Sequence, residues 1–268
     1  MINKTIGNGG NYATIGDAIA ALNAASPLTD DYTFTLISDV AEEWHVSLNY
    51  DANGKTVTFT AAPHGGRLAS AKKVTFAHTV YNNGLDFSIA NGNLIVENIH
   101  IYRTDLDYAI PTVYLRVYDS GSIILRKCFI YIGVGHGVIA EGNVGSTKVY
   151  GCLLYGTIYG GNYAVMIGNQ SNAVVENVTI FRCDNGVYDG SDNNSAVLRN
   201  VVTLDCITGW NFVGNPGGKA ALINCADSGT SINDSSHRTK CLSGIDTVSN
   251  VHSIIPTDPL FMVPKIQF

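Results

Sequence analysis

Ala173-Val-Val-Glu-Asn-Val-Thr-Ile-Phe-Arg-Cys183 decides how this chain folds, because its pattern returns along the sequence. With Asn177 as anchor, related stretches are Leu94-Ile-Val-Glu-Asn98-Ile-His-Ile, Ile124-Leu-Arg-Lys-Cys128-Phe-Ile-Tyr, Lys148-Val-Tyr-Gly-Cys152-Leu-Leu-Tyr, Ala196-Val-Leu-Arg-Asn200-Val-Val-Thr and Ala220-Ala-Leu-Ile-Asn224-Cys-Ala. Counted from Asn98, these anchors lie 30, 24, 25, 23 and 24 residues apart. A near-constant period of this size is the sequence mark of a solenoid.

The repeating unit is strand-like. One residue after each anchor stand Ile99, Phe129, Leu153, Val178, Val201 and Cys225; three before it stand Ile95, Leu125, Val149, Val174, Val197 and Ala221. Apolar and β-branched residues spaced this way fit strands whose alternate side chains face a common interior. The unit is too short for a strand plus a crossover helix, and no run within it has helical periodicity. The expected fold is therefore all-β: a single-stranded right-handed parallel β-helix of about nine or ten coils. The anchors Asn98, Asn177, Asn200 and Asn224 are expected to stack as an amide ladder that satisfies turn backbone. Cys128 and Cys152 are expected to take the anchor position between them, as small and nearly apolar substitutes. Cys183 and Cys206, six residues after their anchors, form a second expected stack, and the thiols read as reduced.

Low charge (14%), 28 glycines and a large apolar fraction suit such a stack and argue against disorder. A net charge of −6 offers no basic patch for nucleic acid and no polybasic membrane anchor. The opening Met1-Ile-Asn-Lys-Thr-Ile-Gly7 lacks the apolar core of a secretory signal, so the chain is expected to be made in the cytoplasm and to act elsewhere only after release.

Taken in order, the chain reads as one domain. Residues 1–26 form an N-terminal cap, 27–228 the coils and 229–268 a C-terminal cap. Thr14-Ile-Gly-Asp17 has the form of a capping box, and Ile15, Ala18, Ile19 and Leu22 make one apolar stripe. A single amphipathic helix ahead of a β stack would cover its open apolar end. The tail Ile254-Ile-Pro-Thr-Asp-Pro-Leu-Phe261 is apolar and Pro-broken, as a closing cap would be.

The opening Gly9-Gly-Asn-Tyr-Ala-Thr-Ile-Gly-Asp-Ala-Ile-Ala-Ala-Leu22 resembles the capping segment of pectate-lyase-like right-handed β-helix proteins, and Asp258-Pro-Leu-Phe261 is similar to a closing motif in many of them. That superfamily includes lyases, esterases and hydrolases of polysaccharides as well as phage tailspikes and other virion proteins, so fold does not settle activity. The small size and scarcity of loop excursions look more like the phage-associated members. The resemblance implies a non-enzymatic virion-type structural, decoration or attachment protein that contacts other virion subunits or surface glycans. It also implies a homo-oligomer, a trimer included, without cofactor, metal, nucleic acid or membrane.

The alternative is a polysaccharide-active enzyme. Gly135-His-Gly137 resembles a polygalacturonase segment, which would give His136 a role. Asp105-Leu-Asp107, if extended, places two carboxylates on one face about 6.5–7 Å apart, the separation of an inverting hydrolase. A lyase reading would use Arg126, Lys127 and Lys148 as a cationic strip. Asp184-Asn-Gly and Asp189-Gly-Ser-Asp192 read as turns, or as a calcium cluster without EF-hand spacing. Tyr102, Tyr108, Tyr114, Tyr118, Tyr159, Tyr163, Tyr188 and Trp210 are candidate surface aromatics, with Tyr159, Tyr188 and Trp210 the expected glycan or partner contacts.

Overall fold

The computed structural model describes residues 1–42, 46–61, 71–76, 84–103, 111–133, 135–142, 145–156, 163–168, 172–190, 196–212, 221–227, 230–232 and 237–239. They wind into the expected parallel β-helix. Eight successive coils each lay one strand into each of three parallel sheets, and the first sheet has one more strand at either end, giving ten, eight and eight strands among the described residues. The first sheet runs from Ile2–Ile6 to His237–Thr239, the second from Val40–Glu42 to Ala226–Asp227, and the third from Val46–Asp51 to Thr230–Ile232. Neighbours in each sheet are separated by a full coil of sequence, as in Leu94↔Ile123 and Ile101↔Ile130. The strands Thr230–Ile232 and His237–Thr239 continue the third and first sheets beyond residue 228.

The helix spans Ile15–Ala24 and begins with the predicted capping box. Thr14 Oγ1 accepts from the Asp17 backbone N–H at 3.1 Å, and Asp17 Oδ2 accepts from the Thr14 N–H at 3.1 Å. Its stripe of Ile15, Ala18, Ile19 and Leu22 is buried. A further partner comes from the second sheet: Glu42, almost fully buried, accepts from the Ile15 N–H at 2.6 Å and the Gly16 N–H at 3.4 Å. Two of the helix's orphan donors are thereby met by a carboxylate at the positive end of the helix dipole.

The corner between first and second sheets explains the sequence repeat and corrects its alignment. Asn98, Lys127, Gly151, Asn177, Asn200 and Asn224 all have φ between 51° and 59°. Each of the first five donates its N–H to the carbonyl just before the next coil's corner, namely Arg126, Tyr150, Glu176, Arg199 and Ile223. Asn tolerates this left-handed conformation best of the side-chain-bearing residues and glycine needs no tolerance, which is why these types recur there. Cys128 and Cys152 are therefore not anchors. They stand one residue later, pointing inward, in one column with Ile99, Val178, Val201 and Cys225. Their thiols lie against corner carbonyls, Cys128 Sγ 3.3 Å from Arg126 O and Cys152 Sγ 3.4 Å from Tyr150 O.

The shift of one residue also moves the inward positions. Leu94 and Val96, Ile123 and Leu125, Ala173 and Val175, and Ala196 and Leu198 are buried, four and two places before the corner; Ile95, Val174 and Val197 are only half-buried. Each fully buried aliphatic side chain stabilises the stack by about 1.5–3 kcal/mol. The expected amide ladder is reduced to one bond: Asn200 Nδ2 donates to Asn177 Oδ1 at 2.9 Å, Asn200 Oδ1 receives nothing from Asn224, and Lys127 and Gly151 separate Asn98 from the other asparagines. Cys183 and Cys206 do stack, following Arg182 and Asp205 at a second left-handed corner. Cys128, Cys152, Cys183, Cys206 and Cys225 are all free thiols.

Candidate functional site

The outer face of the third sheet gathers the polar chemistry of the described residues. Register places Asp86, Tyr114, Ile139, Met166, Tyr188 and Asn211 in one column along the solenoid, with Ser88, Arg116 and Glu141 in the column beside it. Strand alternation aims these side chains outward, because Val113, Leu115, Val117, Val138, Ala140 and Val187 between them fill the core.

Two crossed contacts tie this face together. Arg116 Nη2 donates to both oxygens of Asp86, each at 2.7 Å, from one strand to the preceding coil. The Tyr114 hydroxyl donates to Glu141 Oε2 at 2.5 Å, toward the following coil. The Arg116 guanidinium also lies 4.8 Å from the Tyr114 ring centroid. Burial first, and the hydrogen bond to Glu141 second, push the Tyr114 phenol well above its usual range. Its hydroxyl acts as a hydrogen-bond donor to Glu141. The face is kept open by missing side chains: a Cβ at Gly168 would meet Glu141 Cγ at 2.5 Å, and one at Gly190 would meet Tyr188 Cε1 at 2.5 Å.

The expected site residues fall in different places. Asp105, Asp107, Tyr108, Tyr159 and Asp192 lie outside the described residues. His136 opens the strand His136–Gly142 of the third sheet; its Nδ1 accepts from the Tyr163 N–H at 3.2 Å and its ring stacks on Tyr163 with centroids 5.1 Å apart. Burial, then the nearby Arg103 charge, hold its pKa below the ordinary value. Tyr188 joins the outer face as expected, with Tyr163 4.5 Å from it. Trp210 does not: it is 0% exposed, paired with Val187 in the core column, because its position has inward parity.

The cationic strip also dissolves. Lys127 is a corner residue, Arg126 Nε is 2.6 Å from Glu97 Oε2, and Lys148 Nζ is 3.0 Å from Glu176 Oε2. The sequence spacing had shown the cations without the glutamates one coil away.

On the second sheet, Tyr102, Tyr131, Tyr155 and Phe181 form an outer aromatic row with centroid spacings of 5.7, 5.9 and 5.6 Å. Their rings are stacked or tilted over one another along the axis, so much of each ring face is taken by a neighbour and the edges are left outward. This row supports the coil-to-coil stack more than it offers flat platforms. A shallow polar hollow lies elsewhere, at the corner lined by Asp51, Asn53, Asn91, Asn93 and Ser120. Among the described residues no group of three or more His, Cys, Asp or Glu side chains could hold a metal ion.

Asp86, Arg116 and Glu141 were missed by the sequence reading. The signal available was a charge inside an otherwise apolar strand, Leu85-Asp-Phe-Ser-Ile89 and Val138-Ile-Ala-Glu141, recurring at the coil period around Tyr114-Leu-Arg116.

Against known proteins, no family model matches the chain, and no curated protein matches it. Among solved structures it is similar to the pectin methylesterase from Aspergillus niger, at 16% identity and a TM-score of 0.47, over 94% of this chain and 96% of that one.

Proposed function

We propose that this chain is a non-catalytic glycan-attachment protein whose binding surface is the outer face of the third sheet. The observation that carries the reading is the network Asp86–Arg116–Tyr114–Glu141, flanked by Ile139, Met166 and Tyr188. It combines fixed donors and acceptors with apolar surface, the mixture that recognises a hydroxylated ring. Asp86 is ion-paired with Arg116 through both oxygens and the Tyr114 phenol is raised in pKa, which favours a binding role for both over proton abstraction. The setting expected from the sequence belongs to the same proposal: a virion or similar attachment structure, contact with surface glycans or neighbouring subunits, and a homo-oligomeric assembly acting outside the cell.

A polysaccharide-cleaving reading is favoured by one observation, a second carboxylate on the same face. Glu141 stands two strand steps from Asp86, about 10 Å across the sheet. One experiment separates the two. The chain is incubated with a panel of polysaccharides while binding and new reducing ends are both measured. Retention without cleavage, lost in Tyr188→Ala, is the expected result. Cleavage that disappears in Glu141→Gln would replace the attachment reading with the enzymatic one.

A further inference from the structure

The valence of Arg116 decides what kind of glycan this face can hold. Recognition of a sugar carboxylate by arginine relies on two parallel N–H donors facing the two oxygens. Arg116 has no such pair to give. Its Nη2 is held by both oxygens of Asp86, and its Nε is buried without a hydrogen-bond partner. Only Nη1 is left, a donor suited to a single hydroxyl or ring oxygen.

The charges point the same way. Asp86, Arg116 and Glu141 sum formally to one negative charge, and no other Lys or Arg stands in the two outer columns between Asp86 and Asn211 among the described residues. Arg126 and Lys148 of the first sheet are paired to Glu97 and Glu176, and the whole chain carries −6. What the face does offer is acceptors. A carboxylate accepts about four hydrogen bonds, and Glu141 Oε2 receives one of its bonds from Tyr114. The remaining acceptor capacity of Glu141, beside the half-buried Met166 and Tyr188, suits a ligand rich in hydroxyl groups and free of charge.

We infer that the outer face of the third sheet binds neutral glycans and discriminates against uronate-bearing ones. The inference rests on the glycan-binding reading above and names its ligand class.

Calorimetric titration of the full chain tests it, with linear oligomers of glucose, mannose or galactose in one arm and oligomers of galacturonate or mannuronate of equal length in the other. The expected result is binding of at least one neutral series, with the uronates at least about tenfold weaker because like charge is brought together without a counter-ion. Added salt should narrow that gap by screening the repulsion, and Glu141→Gln should narrow it at low salt. Uronate oligomers that bind as tightly as neutral ones overturn the inference and leave glycan binding standing. A gap indifferent to both salt and Glu141→Gln overturns its electrostatic basis. No binding of any oligomer by the folded chain removes the glycan-binding reading, and the inference with it.

Discussion

Arg116 and Asp86 are joined across adjacent coils by two 2.7 Å contacts from a single nitrogen, Nη2, to the two carboxylate oxygens. The bond links one strand of the third sheet to its neighbour on the outside, where the core cannot help to set register. It also fixes the guanidinium over the Tyr114 ring and so shapes the face on which the proposed function depends.

Removing that anchor should be felt in stability and in binding. Asp86→Ala leaves a half-buried guanidinium without its partner, at a cost of about 1–2 kcal/mol once solvent access to Arg116 is allowed for. Denaturant melts should show the loss, and glycan retention should fall with it. A melt and a retention profile both identical to the parent's would mean that the pair neither holds the coil nor shapes the face.

The corner column gives a test of register. Lys127 and Gly151 occupy left-handed positions flanked by Asn98 and Asn177, and a Cβ at Gly151 would meet nothing closer than Lys127 Cγ at 3.9 Å. Lys127→Asn combined with Gly151→Asn should therefore complete an unbroken amide ladder from Asn98 to Asn200. Asparagine tolerates the backbone, and each new amide bond adds about 0.5–1.5 kcal/mol. The double variant should melt higher than the parent; a lower midpoint would contradict the assigned corner.

Cysteine substitutions probe the same register from inside. Cys152 stacks between Cys128 and Val178, so Cys152→Val should be close to neutral. Cys152→Asn, harmless had Cys152 been an anchor, should instead bury an unsatisfied amide at a cost of about 1–3 kcal/mol. Equal stability of the two variants would restore the alignment first read from the sequence.

That misalignment shows what the sequence carried and what it did not. The period, the parallel β-helix and the capping helix were legible because each rests on local chemistry: strand alternation, turn residues and the Thr14–Asp17 box. The corner was misplaced by one residue because Cys and Asn were matched as similar small side chains, while the decisive property was a left-handed φ that Lys127 and Gly151 also adopt. The outer face was illegible for another reason. Asp86, Arg116 and Glu141 belong to three coils, and only register brings them together. Trp210 was misread because its parity depends on a strand boundary that aromatic content does not reveal.

His136 supplies a pH dependence. Burial and Arg103 lower its pKa in the folded chain, so the unfolded chain binds its proton more readily. The neutral imidazole's contribution is thus fully present above the unfolded value of about 6.5 and is lost as pH falls through the lower folded value. Thermal midpoints recorded downward from neutral pH should decline across this window, and His136→Gln should flatten that part of the curve. An unchanged slope in the variant would assign the acid sensitivity to other groups.

The last prediction separates packing from recognition in two aromatic residues first grouped together. Trp210 is wholly buried opposite Val187, whereas Tyr188, one coil earlier, stands half-buried in the outer column beside Met166. Trp210→Ala should cost about 3–5 kcal/mol through the cavity it leaves, with any loss of binding following from lost structure. Tyr188→Ala should leave the melt nearly unchanged and still abolish glycan retention, since its ring adds to the outer surface and little to the core. Circular dichroism melts run beside retention assays on both variants measure this directly. A Tyr188→Ala chain that melts as the parent does and binds as the parent does would move the recognition surface off the third sheet.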